Sequence, residues 1–163
     1  MSYLIQSRRS LLIGAGACAT LLIKPAAGIM SAASAATALS PTKSMPGGSN
    51  NYIAKAPLVE NLGKGFLVSG TARRAGSGDP LTNVRIQIWA STERGGEREP
   101  SNRGSVLTDA KGDFRLEMSQ ILPNFGQPHA HLAYDDGAFE TVFLRPLLAA
   151  KTDTSVQAHF ILA

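Results

Sequence analysis

The chain has almost no cysteine. Cys18 is the only one in 163 residues, and it falls in a segment that reads as an export signal. The remainder of the chain therefore has no thiol pair to staple it, although an exported protein would be permitted one. Aromatic residues are also scarce, at 6%, so a core must come mainly from aliphatic side chains, and the length suits one domain. No stretch reaches the roughly twenty apolar residues of a membrane-spanning helix; the longest largely apolar run, Leu11 to Ile23, has thirteen. Net charge is only +4, and beyond the N-terminal stretch the cations alternate with acids, as in Glu93-Arg94 and Glu97-Arg98-Glu99. A basic stripe interleaved with aromatics is missing, which argues against nucleic acid as a partner. There is no G-x-S-x-G for a nucleophile elbow, no G-x-x-x-x-G-K for a phosphate loop, and no repeat of fixed period.

The N-terminus reads as an address. Ser7-Arg8-Arg9-Ser10-Leu11-Leu12 is a twin-arginine pattern running into a weakly hydrophobic, Gly/Ala-rich stretch that Lys24-Pro25 ends. Ala33-Ser34-Ala35 and Ala36-Thr37-Ala38 both fit an A-x-A cleavage site. The expectation is a twin-arginine signal peptide over residues 1–38, recognised by the twin-arginine export machinery, and a periplasmic or secreted product with no stable membrane span after cleavage. Cys18 as a lipid-attachment cysteine is the lesser alternative, because Ala15-Gly16-Ala17 matches a lipoprotein signal only loosely.

Residues 39–51 are rich in Ser, Pro, Gly and Asn and read as a disordered tether. Residues 52–65 read as an extended arm. From there to residue 163 short strands alternate with turns. Val84, Ile86 and Ile88 alternate with Arg85, Gln87 and Trp89, and Val156, Ala158, Phe160 and Leu162 with Gln157, His159 and Ile161. Asp109-Ala110-Lys111-Gly112 and Asp135-Asp136-Gly137 read as hairpin turns. About seven strands without an amphipathic helix predict an all-β, two-sheet sandwich with an immunoglobulin-like, Greek-key look over residues 52–163. Two loops, 91–103 and 119–127, are longer than a plain sandwich needs, and long ordered loops tend to carry function.

One stretch stands out chemically. Gln127-Pro128-His129-Ala130-His131-Leu132-Ala133-Tyr134 holds two of the three histidines. On a strand, residues two apart share a face, so His129 and His131 sit side by side, with Ala130, Leu132 and Tyr134 on the other face. Paired imidazoles on a rigid strand make half of a metal site. The plain alternative is two polar residues on a solvated sheet face.

In order along the chain, several motifs resemble those of the intradiol ring-cleavage dioxygenase family. Asp79-Pro80-Leu81-Thr82-Asn83-Val84-Arg85-Ile86-Gln87-Ile88-Trp89 resembles its G-x-PL-x-x-A-x-V-x-V-W opening. Thr108-Asp109-Ala110-Lys111-Gly112-Asp113-Phe114 resembles its T-D-x-x-G-x-Y hairpin, and Pro128-His129-Ala130-His131 its P-x-H-x-H strand. The resemblance spans roughly residues 50 to 162. It implies a non-haem ferric ion and cleavage, with O2, of a catechol-like aromatic ring between its two hydroxyl-bearing carbons.

The family holds its iron with two Tyr and two His. The histidines carry over onto His129 and His131; the tyrosines do not. Glu97 or its neighbours stand where the first Tyr is expected and Phe125 stands nearest the second, while Gln127 replaces an Arg. Phe cannot ligate, but Glu97 can. Two His and one carboxylate form a facial triad suited to Fe(II) rather than Fe(III). Tyr52 and Tyr134 are other possible donors, Tyr134 the poorer because it shares the face of Leu132, and His159 is a third imidazole more consistent with a solvated position. The expected metal ligands are thus His129, His131 and Glu97, with non-haem iron as cofactor. The alternative is a non-catalytic binding module of the carboxypeptidase-regulatory or transthyretin-like kind that has lost the ferric site.

Overall fold

A computed structural model describes residues 38–163 except Phe125. The twin-arginine pattern, Cys18 and Phe125 therefore lie outside the described residues. The chain forms a β-sandwich of two four-stranded sheets. Its strands are β1 (Asn61–Leu62), β2 (Gly65–Arg74), β3 (Arg85–Ala90), β4 (Arg103–Leu107), β5 (Asp113–Ser119), β6 (Ala130–Tyr134), β7 (Val142–Leu144) and β8 (Ser155–Leu162). One sheet runs β1-β5-β2-β8 and the other β4-β3-β6-β7. A 3-10 turn, Pro100–Asn102, precedes β4.

The alternation read in the sequence produces the interface between the sheets. Phe66 and Val68 of β2, Ile86 and Ile88 of β3, Leu116 and Met118 of β5, Leu132 and Tyr134 of β6, and Phe160 and Leu162 of β8 point inward and are buried. Each such side chain contributes roughly 1.5–3 kcal/mol by leaving water.

Two local readings need correction. The Asp109–Gly112 turn is tight, as expected: Gly112 N–H donates to Asp109 O, Asp109 Oδ1 accepts from Lys111 and Asp113 N–H, and Gly112 takes φ +75°. It does not close a hairpin, however. β4 pairs with β3 and β5 with β2, so the turn carries the chain from one sheet to the other. The second correction concerns residues 39–51. Composition reads them as a disordered tether, yet they lie as a strap along the sandwich. Met45 N–H donates to Phe143 O, Thr42 N–H to Ile161 O, and Phe143 N–H to Ser44 Oγ. The partners are remote in sequence, so nothing local announces the order they impose. By contrast β6 and β7 do pair antiparallel around residues 135–141, as their turn suggests. Among the described residues no helix is long and apolar enough to cross a membrane.

The outward face of β3 and β6 is not solvated. The strap and arm cover it, and Gln87, Trp89 and His131 lie buried beneath them. Gln87 Nε2 donates to Ile53 O, its Oε1 accepts from Ala56 N–H, and Trp89 Nε1 donates to Asn50 O.

Candidate metal centre

Each member of the site is delivered by a different device. β6 supplies His131, and His129 stands one residue before it, bridged to Leu147. The register that turns Ala130 and Leu132 into the core necessarily turns both imidazoles outward, under the strap. Glu97 comes from the long loop before β4. That loop is shaped by Asn102, fully buried, whose amide donates to Gly95 O and Gly96 O while its Oδ1 accepts from Thr92 Oγ1. Arg103 Nη2 then ties down Glu97 O at 2.7 Å. The carboxylate is thereby held against the histidines.

His129 Nε2 lies 3.3 Å from Glu97 Oε1, and His131 Nε2 3.5 Å from Glu97 Oε2. One ligand atom from each of the three falls within 4.8 Å of the others. All three residues are at most 5% exposed, which removes the solvated-face reading of the histidine pair. The shorter contacts of the other nitrogens assign the tautomers. His129 Nδ1 is 2.8 Å from Gln127 O and His131 Nδ1 is 3.0 Å from Gly48 O. A carbonyl can only accept, so both Nδ1 atoms are assigned the proton, and both Nε2 atoms are left as lone pairs. His131 Nε2 has no hydrogen-bond partner among the described residues.

Two imine lone pairs and a carboxylate thus converge with no donor between them. Only a cation satisfies all three. A proton serves poorly on His131, whose burial pushes its pKa down. A divalent ion fits the donor set: nitrogen and oxygen ligands sit about 2.0–2.2 Å from such an ion, which puts neighbouring donors about 3 Å apart. Each imidazole has its far nitrogen pinned by a carbonyl, the arrangement that orients metal-binding histidines. Burial pushes the Glu97 carboxyl up, but the Asn51 amide, the attraction of His131 when protonated, the Asn124 amide and that of His129 when protonated outweigh it and hold the carboxyl below its usual range. Asn51 Nδ2 donates to Oε2 at 2.6 Å and Asn124 Nδ2 to Oε1 at 3.2 Å.

The other candidate donors lie elsewhere. Tyr52 packs against Trp89 and Phe143 and its hydroxyl donates to Asp135. Burial first, then that hydrogen bond and the Asp135 charge, push its pKa up to about 12. That is the reverse of what a tyrosinate ligand requires. Tyr134 is buried in the core, where its hydroxyl accepts from Ala138 and Phe139 N–H. His159, on β8 in the opposite sheet, is exposed and hydrogen-bonds Thr71 Oγ1. Three residues at the site escape a reading of the sequence, since Gly48, Asn51 and Asn124 look like loop residues; Arg145 reads as a surface cation by default, with the border of an anion pocket as the alternative. Arg145 Nη2 in fact lies 3.4 Å from His129 Nδ1. No spacing rule flags them, because each arrives from a separate segment. Trp89 lies on the outer face, as its alternation with Ile86 and Ile88 requires, and is buried there, stacked on His131 with centroids 5.1 Å apart and planes 8° from parallel.

Solved structures resemble this architecture. The dioxygenase domain of a dioxygenase carbohydrate-binding protein fusion from Streptomyces sp. SirexAA-E superposes with TM-score 0.57 over 75% of this chain and 97% of that one, at 17% identity. Hydroxyquinol 1,2-dioxygenase from Pseudomonas putida DLL-E4 gives 0.55 over 76% and 67%, at 13% identity. 3-Chlorocatechol 1,2-dioxygenase from Rhodococcus opacus 1CP gives 0.51 over 68% of each chain, at 14% identity. The fold is that of these dioxygenases. No protein-family model matches the chain, and no curated protein sequence does. At such identities the likeness to the dioxygenases concerns the fold; the chemistry has to be argued from the donors present.

Proposed function

We propose that the chain is an exported, metal-dependent dioxygenase, holding non-haem iron through Glu97, His129 and His131 and cleaving a catechol-type ring with O2. The observation that carries this is the convergence of three acceptors without a donor, on the fold of catechol and hydroxyquinol dioxygenases. Two imidazoles and one carboxylate favour iron(II) over iron(III), since the strongly donating tyrosinates are missing. The twin-arginine pattern supports export, by a route suited to proteins that fold before crossing the membrane.

In the net reaction one aromatic C–C bond breaks and both atoms of O2 enter the product as two carboxyl groups, so no external reductant is consumed. Bound iron would supply the redox-active Lewis acid that brings ring and O2 together. The protein's part is positional and electrostatic. Gln127 and Gly48 carbonyls aim the two imidazoles, the two asparagine amides fix the carboxylate, and Arg145 places a positive charge beside His129 where a phenolate would be favoured.

The experiment is metal analysis of the exported protein purified without an affinity tag, followed by oxygen uptake and ring loss with catechol, 3-chlorocatechol and hydroxyquinol after anaerobic iron(II) loading. One equivalent of iron, with oxygen consumed one-for-one with ring, is the expected result. A second reading rests on the burial of all three donors. Here the ion is a structural clamp in a non-catalytic module, and no substrate reaches it. Tight metal binding without oxygen uptake on any of the three rings selects that reading; no metal binding at all eliminates both.

A further inference from the structure

The strap is more than a cover, because it donates to and accepts from the ligand set itself. Gly48 O accepts from His131 Nδ1, and Asn51 Nδ2 donates to Glu97 Oε2. The orientation of the Asn51 amide is fixed independently: Arg98 Nε donates to its Oδ1 at 2.9 Å, leaving the NH2 for Glu97. Asn51 holds φ +56°, a left-handed conformation that Asn tolerates better than most residues. Gly48 approaches β7 so closely that a Cβ there would come within 2.8 Å of Phe143 O, so only glycine brings this carbonyl onto His131. Met45 N–H to Phe143 O and Trp89 Nε1 to Asn50 O fasten the strap on either side of Gly48.

We propose that residues 44–52 form a latch on the metal centre, in which Gly48 and Asn51 are positioning residues that hold His131 and Glu97 in ligating pose, and that metal uptake in turn fastens the latch. The latch rests on the metal-centre reading of Glu97, His129 and His131. The reciprocity comes from linkage: if the docked strap improves affinity for the ion, the ion must stabilise the docked strap by the same factor.

The test uses the exported protein and zinc(II) alone as probe. Zinc release into a chelator and amide exchange across residues 44–52 are measured for wild type, Asn51→Gly and Gly48→Ala. Asn51→Gly keeps the left-handed backbone unstrained and removes only the amide. The expected result is zinc loss about 10- to 100-fold faster in both variants, the range seen when an outer partner of a ligand is removed. Zinc should slow exchange in the strap of wild type and fail to do so in Asn51→Gly; the lost hydrogen bond to a buried carboxylate also lowers the metal-free melting midpoint, so the zinc readouts and not the midpoint decide. A merely structural asparagine would lower that midpoint and leave zinc release unchanged. If Asn51→Gly proves unstable, wild-type exchange with and without zinc decides alone. Unchanged exchange in a wild type that binds zinc overturns the latch but not the metal centre; a wild type that binds no zinc overturns both.

Discussion

The two sheets present the same kind of outward face and treat it in opposite ways. On the β1-β5-β2-β8 sheet, Arg115, Glu117, Gln157 and His159 stand in solvent. On the β4-β3-β6-β7 sheet, Gln87, Trp89, Ser105 and His131 occupy equivalent outward positions and are buried to 1% exposure or less. The strands do not account for the difference. The covering segment does: residues 44–57 lie over one sheet and leave the other largely bare. Burial changes what a side chain has to do. An outward His in water needs no partner, whereas an outward His under cover must have both nitrogens satisfied. His159 and His131 are the same residue type, each on an outward strand face, and only the second is buried beside a carboxylate and a second imidazole.

The contrast can be broken most severely at the histidines. His131→Ala should weaken zinc or iron(II) binding by more than about 100-fold, since losing an outer partner alone typically costs 10–100-fold, while His159→Ala leaves binding unchanged. Competition against a chelator of known affinity measures both, and equal losses would erase the distinction between the faces. A smaller effect is expected from the glutamines. Gln87→Leu strands the Ala56 N–H and Ile53 O beneath the arm and should cost about 1–3 kcal/mol. Gln157→Leu on the open sheet should stay within about 0.5 kcal/mol. Urea unfolding of the metal-free proteins separates the two. The finest test is alkaline. The folded-state pKa of Tyr52 is raised to about 12. Its unfolded value is about 10. Its contribution to stability is therefore fully present below pH about 10 and is lost as the pH rises toward 12. Phenolate absorbance should show Tyr52 still protonated at pH 10 in the folded protein, and Tyr52→Phe should flatten the stability loss across that window. A Tyr52 that ionises normally would mean its hydroxyl is not held by Asp135.

Much of the sandwich was legible because its signals are local. Alternation in residues 84–89 and 155–162 marks the inward faces, and Asp-Gly turns mark where strands stop. The histidine pair was legible for the same reason, since period two on a strand guarantees a shared face. Glu97 came into view through the resemblance to a family pattern, not through any local rule. What the sequence hid is non-local. The Asp109–Gly112 turn satisfies its own hydrogen bonds whichever sheet the next strand joins, so a sheet-crossing turn reads as a hairpin. The strap has the composition of a linker because its hydrogen bonds end on Phe143, Ile161 and His131, far along the chain. Asn51 and Asn124, which hold Glu97, carry no pattern at all.

The strap also fixes an order of assembly. Its partners are made long after it: Gly48 and His131 are 83 residues apart, Asn51 and Glu97 46, and Thr42 and Ile161 119. Closing loops of that length is the slow part of folding a β-protein. The first described segment to leave the ribosome is therefore among the last to reach its place, and it cannot be fastened until β6 and β7 exist. It directly succeeds the stretch whose sequence reads as an export address. A chain sent out before that final docking would travel with its carboxylate and imidazoles unheld, whereas a chain sent out after it travels with the site closed.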